Sequence, residues 1–429
     1  MESFIVQGNT SLSGNVKVSG SKNAAVAVLP AVVLTEDNVH LDNLPDITDV
    51  RTMIEILENL GVSIRRRGRN ALDLTPGNLT RIAPSYELVK RMRASYYFMG
   101  SLLARFGQAQ VPIPGGCDLG PRPIDQHLKG FSALGADINI EHGMINLSAS
   151  KLVGAHIYLD VVSIGATVNL MLAASAAEGR TVLENVAKEP EIVDLANFLN
   201  AMGARIRGAG TDVIRIDGVK KFHGVSHTVI PDRIEAGTFM LAAAATGGSV
   251  RVEDVIPKHL EAITAKLRET GAGVEVEPEM IKVEISKPLS ASDLKTFPYP
   301  GFPTDLQPPG MVLLTAASGL SVITENVFDG RFNQVDELKR MGARIKVEGR
   351  TALIEGGNGL SGAPVTAHDL RSGAALIIAA LLAEGESRIS NIEHIDRGYE
   401  NYEQKLIGMG ASIKRISEKF QGRKSTSLD

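Results

Sequence analysis

Six times along the chain a helical stretch ends at a glycine and gives way to a short alternating segment. These segments begin at Leu60 (LGVSIRRRG), Leu134 (LGADINIEHG), Met202 (MGARIRGAG), Thr270 (TGAGVEVEP), Met341 (MGARIKVEG) and Met409 (MGASIKRIS). Glycine suits the C-cap of a helix because, lacking Cβ, it takes the left-handed conformation without steric cost. The alternation that follows puts every second side chain on one face, as a half-buried strand requires. Earlier in each unit lies a second helical stretch: Asn23–Leu34, Ala94–Phe106, Gly165–Glu178, Ile234–Thr246, Gly310–Ser318 and Gly373–Glu384. These stretches are apolar nearly all round, and such a helix is buried on every side. Each unit reads as strand, buried helix, strand, half-exposed helix, strand, repeating about every 70 residues. Six units predict an α/β protein of two lobes, three units each, with a boundary near Val219–Pro231 and a cleft between the lobes where ligands commonly bind.

Composition narrows the function. Lys+Arg 45 against Asp+Glu 49 gives a net charge of −4, which argues against a general nucleic-acid binder. Aromatic residues are 4% with no tryptophan, too few for base-stacking platforms. One cysteine excludes an internal disulfide and points to a cytoplasmic setting. The opening MESFIVQGNTSLSG has no basic region followed by an apolar run, so no signal peptide is expected. The longest strongly apolar run, Ala374–Ala383, is half of the roughly 20 residues a membrane span needs, so no membrane association is expected.

The stretch Val111–His127, VPIPGGCDLGPRPIDQH, carries that single cysteine, Cys117. Gly115, Gly116 and Gly120 around it suit a surface loop, a poor place for a packing cysteine, which favours chemistry for the thiol. Arg122 stands between Pro121 and Pro123, which stiffen the backbone that presents its guanidinium to an anion. Ser19–Asn23 forms a Gly/Ser turn before the first buried helix, where backbone N–H groups and Lys22 face an anion or merely cap the helix. Lys90, Arg91 and Arg93 hold the equivalent place in the second unit, and Arg93, adjoining the apolar run, is the one expected to be fixed. Val162–Gly165 opens the third buried helix; Glu189, Glu191 and Asp194 read as solvated helix charges. Asp232 reads as a cap.

In PYPGFPTDLQPPG the prolines carry Asp305 to a fixed point, where a helix cap is the commoner role for an aspartate than a base. Arg331, Asp369, Arg371 and Arg397 lie at turns between units, and several arginines in a net acidic chain suggest a focused positive pocket. His127 and His394 lack metal-ligand spacing, and neither a phosphate-binding P-loop nor a dinucleotide fingerprint follows a predicted strand. No cofactor and no metal are expected.

Taken together, GSKNAA, PGGCDLGPRPIDQH, PTDLQ, DLRSGAALIIAALLAEG and HIDRGYE resemble the motifs of the UDP-N-acetylglucosamine 1-carboxyvinyltransferase family, over nearly the whole chain to Gly410. The resemblance implies two inside-out α/β barrel lobes, one of residues 20–229 and one of residues 1–19 with 230–429. It implies transfer of the enolpyruvyl group of phosphoenolpyruvate to the 3′-hydroxyl of UDP-N-acetylglucosamine with release of phosphate, the first committed step of peptidoglycan synthesis. Cys117 takes the role of proton donor to C3, can form a covalent phospholactoyl adduct, and is the target of the epoxide fosfomycin. Asp305 matches the carboxylate on the 3′-hydroxyl. Lys22, Asn23, Arg122 and Arg397 match the phosphate side of phosphoenolpyruvate; Arg331 and Arg371 match its carboxylate side. Arg93, Arg122, Pro123, Ile124, Asp125, Gln126, Ser163, Ile164, Gly165, Asp305 and Val327 match sugar-nucleotide contacts.

The partners implied are these two small molecules, with no nucleic acid and no membrane; the resemblance does not extend to an oligomeric state. Two departures stand out. Pro308-Pro309 follows Asp305-Leu306-Gln307 where relatives usually continue without prolines, so the helix start there is expected to shift, and Val161 stands where many relatives carry a basic residue. A sister enzyme that makes the shikimate-derived ether lacks a cysteine in this loop. A paralogue that only binds would be expected to have lost Cys117, Asp305, Lys22 or Arg397, and all four are present.

Overall fold

The structure, a computed structural model, describes residues 2–77, 79, 81–113 and 124–417. Cys117, Arg122 and Pro123 lie outside the described residues. Within them the strands form six sheets, five of four strands and one of three. Each four-stranded sheet has one parallel pair and two antiparallel pairs. In the first unit Ser226–Thr228 runs parallel to Val39–Asp42, which is followed antiparallel by Leu72–Thr75 and Ser63–Arg66. The three-stranded sheet comprises Gln108–Pro112, Met144–Ser148 and Asp137–Glu141.

The repeated α/β reading matches this architecture. The glycines of the repeat, Gly61, Gly135, Gly203, Gly271, Gly342 and Gly410, all have φ between 92° and 111°, the left-handed cap that the repeat predicts. The strand after each of the first five turns back as a hairpin, and that return strand escaped the sequence reading; the strand after Gly410 pairs instead with Glu2–Gln7. Its signal is a turn such as His142-Gly143, both at positive φ, between Asp137–Glu141 and Met144–Ser148.

The apolar helices are inside. Every residue from Gly165 to Ala174 is buried, as is every residue from Ile234 to Ala245 and from Arg371 to Leu381. The sheets are outside; Asp137–Glu141 and Gly273–Glu277 expose most of their residues. Two apolar cores result. One gathers residues from Ala24 to Val229, the other Phe4–Val18 with residues from Ile234 to Ile413.

The strand before the first helix, Ser13–Lys17, pairs parallel with Ser249–Glu253 of the second core. The strand before the fourth helix, Ser226–Thr228, pairs with Val39–Asp42 of the first. The chain therefore crosses between cores twice, side by side. Ser21 N–H donates to Ile230 O at 2.7 Å and Asp232 N–H to Ser19 O at 2.9 Å. Gly20 is required at this crossing, since a Cβ there would lie 1.7 Å from Asn43 O.

Three helix starts differ from expectation by three residues or more, among them the sixth, which begins at Leu370, not Gly373. The fifth buried helix begins at Gln307, not Gly310, because Pro308 and Pro309 occupy its first turn, where the missing N–H groups have no partner to lose. The α-helix of the second unit begins at Phe98, after a tighter 3-10 turn over Arg93–Tyr97. No helix among the described residues is long and apolar enough to cross a membrane.

Candidate active site

Lys22, Asn23, Ser163–Gly165, Asp305 and Arg371 lie at the N-terminal ends of the buried helices, where unpaired N–H groups and the helix dipole favour anions. Ser21 caps Lys22–Ala31 by accepting from Ala24 N–H at 3.2 Å. Lys22 N–H donates to Asp232 at 2.9 Å, and the same carboxylate caps Arg233–Ala245 through Ile234 and Glu235. The first helices of the two cores are thus tied end to end. The Lys22 ammonium lies 2.9 Å from Asp49, whose other oxygen accepts from Arg397 Nε at 3.0 Å. Burial alone would push the Asp49 carboxyl up, but Lys22 and Arg397 outweigh it and hold the group below the usual carboxylate range. Asn23 Nδ2 donates to Glu191 at 3.4 Å.

Asp305 sits in the 3-10 turn Thr304–Leu306 that leads into Gln307–Ala316. Its carboxylate caps no helix. It meets Arg331 at 2.9 Å and Arg371 at 3.1 Å, the latter also through Nε at 3.2 Å. The cap reading of Asp305 is corrected here, because two guanidinium groups compete better for a carboxylate than neutral N–H groups do. Burial works to raise its carboxyl, and Arg371 and Arg331 reverse that, leaving it far below the ordinary range. About a quarter of its side chain remains open to solvent (26%), against 4% and 3% for the two arginines.

Both arginines are themselves held. Arg371 lies over the Tyr399 ring at 5.2 Å, and the Tyr399 hydroxyl bonds Thr238 at 2.9 Å. Arg331 donates to Thr304 at 3.0 Å. Thr304 donates to buried Glu325, which also accepts the Val327 N–H at 2.9 Å, so Val327 and Asp305 are linked through one carboxylate. Asp369 forms a capping box on Leu370–Leu382 and so orients the turn that carries Arg371.

A third cluster joins the second and third units. Ser163 caps Ile164–Ala174 by accepting from Ala166 N–H at 3.2 Å. Gly165 packs against Tyr96 and His127; a Cβ there would lie 2.5 Å from the Tyr96 hydroxyl. Tyr96 and His127 meet edge to face at 4.8 Å. Gln126, in the first turn of Asp125–Ala133, donates to Asp125 at 2.8 Å and to Asp160 at 3.2 Å, and accepts the Asp160 N–H at 2.9 Å. Ile124 directly precedes that helix, and Arg93 is close enough to act electrostatically on His127.

The histidine is neutral. Asn169 Oδ1 accepts from Gly100 N–H at 2.8 Å, so its Nδ2 is the donor to Tyr96 O and to His127 Nδ1. The His127 proton therefore belongs on Nε2. Burial, with Arg93 adding to it and Asp125 opposing, pushes the imidazole down to about 4.

The structure thus brings together Lys22, Asn23 and Arg397; Asp305, Arg331, Arg371 and Val327; and Arg93, Ile124, Asp125, Gln126, Ser163, Ile164 and Gly165. Glu189, Glu191 and Asp194 are buried, at 5%, 2% and 3% exposure, and not solvated as their charges suggested. Arg233, 3.5 Å from Glu191, and His227, 3.1 Å from Asp194, explain how the first turn of Pro190–Ala201 tolerates that burial. Val161, which stands where many relatives carry a basic residue, is 59% exposed. Sequence reading passed over Asp49, Tyr399 and Glu325. Asp49 and Glu325 stand in no quoted motif and Tyr399 lies in HIDRGYE, but only the fold sets the three against cations or N–H groups.

Residues 6–406 match the family described as EPSP synthase (3-phosphoshikimate 1-carboxyvinyltransferase). The chain is 57% identical over 418 residues to UDP-N-acetylglucosamine 1-carboxyvinyltransferase 3 of Caldanaerobacter subterraneus subsp. tengcongensis, covering 97% of this chain and 100% of that one. It is 54% identical over 417 residues to the UDP-N-acetylglucosamine 1-carboxyvinyltransferase of Clostridium botulinum, with 97% and 100% covered. Among solved structures, the enolpyruvyl transferase NikO from Streptomyces tendae superposes with a TM-score of 0.88 at 25% identity, over 97% of this chain and 99% of that one. EPSP synthase from Acinetobacter baumannii shares the fold, with a TM-score of 0.74 at 20% identity over 97% and 100% of the two chains.

Proposed function

The chain belongs to the EPSP synthase family of carboxyvinyltransferases, and we propose that it transfers the enolpyruvyl group of phosphoenolpyruvate to the 3′-hydroxyl of UDP-N-acetylglucosamine in the cytoplasm. The observation that carries this reading is the Asp305 carboxylate between Arg331 and Arg371, a place that fits one carboxylate, beside the cation pair Lys22 and Arg397. One pair takes the carboxylate of phosphoenolpyruvate; the other, with Asn23 and Arg122, takes its phosphate. The nucleotide diphosphate lies toward Arg93 and the helix start at Ser163–Gly165, with Ile124, Asp125 and Gln126 alongside and Val327 near the sugar. Residues 20–229 form one lobe, residues 1–19 and 230–429 the other.

The reaction then runs as addition and elimination. The 3′-oxygen bonds to C2 while Cys117 gives C3 a proton and Asp305 takes the hydroxyl proton. The C2–O bond to phosphate breaks, C3 gives up a proton, and a vinyl ether remains. A carboxylate held by two arginines is a weak base. The carboxylate of phosphoenolpyruvate, entering between Arg331 and Arg371, takes over their hydrogen bonds and returns Asp305 toward ordinary basicity. Fixed guanidinium donors around the reacting anion supply the electrostatic part of catalysis.

The test is phosphate release by the pure protein, with mass analysis of the product. Release is expected only when UDP-N-acetylglucosamine and phosphoenolpyruvate are both present. No release from that pair, or release with 3-phosphoshikimate in place of the sugar nucleotide, would reject the assignment. Cys117→Ser is expected to abolish alkylation by fosfomycin.

A further inference from the structure

Asp49 belongs to none of the motifs, yet it is 3% exposed and lies between two cations from different cores. It sits in the first turn of Thr48–Leu60, and each of its oxygens holds one partner, Lys22 Nζ at 2.9 Å and Arg397 Nε at 3.0 Å. Lys22 opens the first helix of the first core; Arg397 follows Glu393–Asp396 in the second. The contact is close on both sides, since a Cβ on Gly398 would come within 3.1 Å of the Lys22 side chain. One carboxylate bridging two cations, one on each oxygen, fixes the position of each relative to the other.

We propose that Asp49 is the positioning residue of the phosphate-binding pair, aligning Lys22 and Arg397 on one anion through a contact that exists only where the cores meet. This rests on the reading of Lys22 and Arg397 as phosphate ligands. Other bonds cross the same edge without touching either cation: Asn70 donates to Glu400 at 3.0 Å and Arg69 to Asn401 at 2.9 Å. They hold the cores together, so Asn70 serves as a control for mere adhesion.

The experiment is steady-state kinetics of the full chain with both substrates varied. Asp49→Asn is expected to raise KM for phosphoenolpyruvate roughly tenfold or more, the scale of a lost charge-assisted contact, and to weaken inhibition by inorganic phosphate in step. KM for the sugar nucleotide is expected to stay within about twofold, and Asn70→Ala to leave both constants within about twofold. Asp49→Glu keeps the charge and is expected to recover part of the loss. An unchanged KM for phosphoenolpyruvate in Asp49→Asn overturns the proposal. So does a parallel rise of both constants that Asn70→Ala reproduces, because that is loosening and not alignment. Should Asp49→Asn fail to fold, Asp49→Glu carries the test: a rise of several-fold confined to phosphoenolpyruvate supports it, and unchanged constants overturn it. Absence of phosphate release by the unaltered protein is a separate result, seen before any variant is made, that removes the functional reading and this proposal with it.

Discussion

Asp49 and Asp305 are each held by two cations, but they differ in what surrounds the carboxylate. Asp49 is sealed, and its partners come from different cores, a lysine and an arginine. Asp305 keeps 26% of its side chain open, and its partners are two arginines of one core, both almost fully buried. In the low-dielectric interior, a sealed carboxylate cannot be exchanged for a ligand without leaving both cations bare. It is a fixed part of the site. A carboxylate with an open side can be displaced by another anion, since its arginines then exchange one carboxylate for another at little cost. On the proposed reading, similar local chemistry serves alignment in one place and exchange in the other, and solvent access separates them.

The largest effect expected is at the exchangeable carboxylate. Asp305→Asn keeps the shape and removes the proposed base, and kcat is expected to fall roughly 10²–10⁴-fold, the usual contribution of a positioned acid or base. Asp49→Asn should instead act mainly through KM, so a loss of kcat alone in both variants would erase the distinction. Next in size is Arg371→Lys, which keeps the charge but loses the two-point grip and the stacking on Tyr399. KM for phosphoenolpyruvate is expected to rise roughly 10- to 100-fold, the scale of a hydrogen bond to a charged group, with little change for the sugar nucleotide. Equal losses for both substrates would place Arg371 outside the anion pair.

The smallest effect sharpens the role of burial without a compensating charge. His127 is sealed like Asp49 but has no partner strong enough to keep it charged, so its imidazole falls to about 4. The unfolded chain, with its histidine near the ordinary 6.5, binds a proton first as pH drops. Stability from this group is therefore present above the unfolded value and lost as pH falls toward 4. Between pH 7 and about 5.5 the loss should be roughly 1 kcal/mol. Urea unfolding of the wild type and of His127→Gln across that range checks it; identical pH slopes would show that His127 is not buried as a neutral base.

Much of this was legible in the chain. Glycine at a helix end and an all-round apolar helix have one stable use each, so the sixfold repeat predicted units, buried helices and α/β class. Prolines 308 and 309 were legible only as a disturbance, because a proline in a first turn and a proline that delays a helix look alike until the neighbouring backbone is placed. The motif residues Lys22, Arg93, Asp305, Arg331, Arg371 and Arg397 could be named from their neighbours. Their partners could not. Asp49 is one more acidic residue near a helix start, and Glu189, Glu191 and Asp194 look solvated, because the arginine, lysine and histidine that meet them lie far along the sequence.

Periodicity, caps and turn chemistry act over a few residues, so the order of residues alone settled the units and which helices are buried. Which charge faces which, and which carboxylate stays open to exchange, depends on groups brought together from distant units. Burial changes the strength of every such pairing, and only the assembled tertiary structure decides burial.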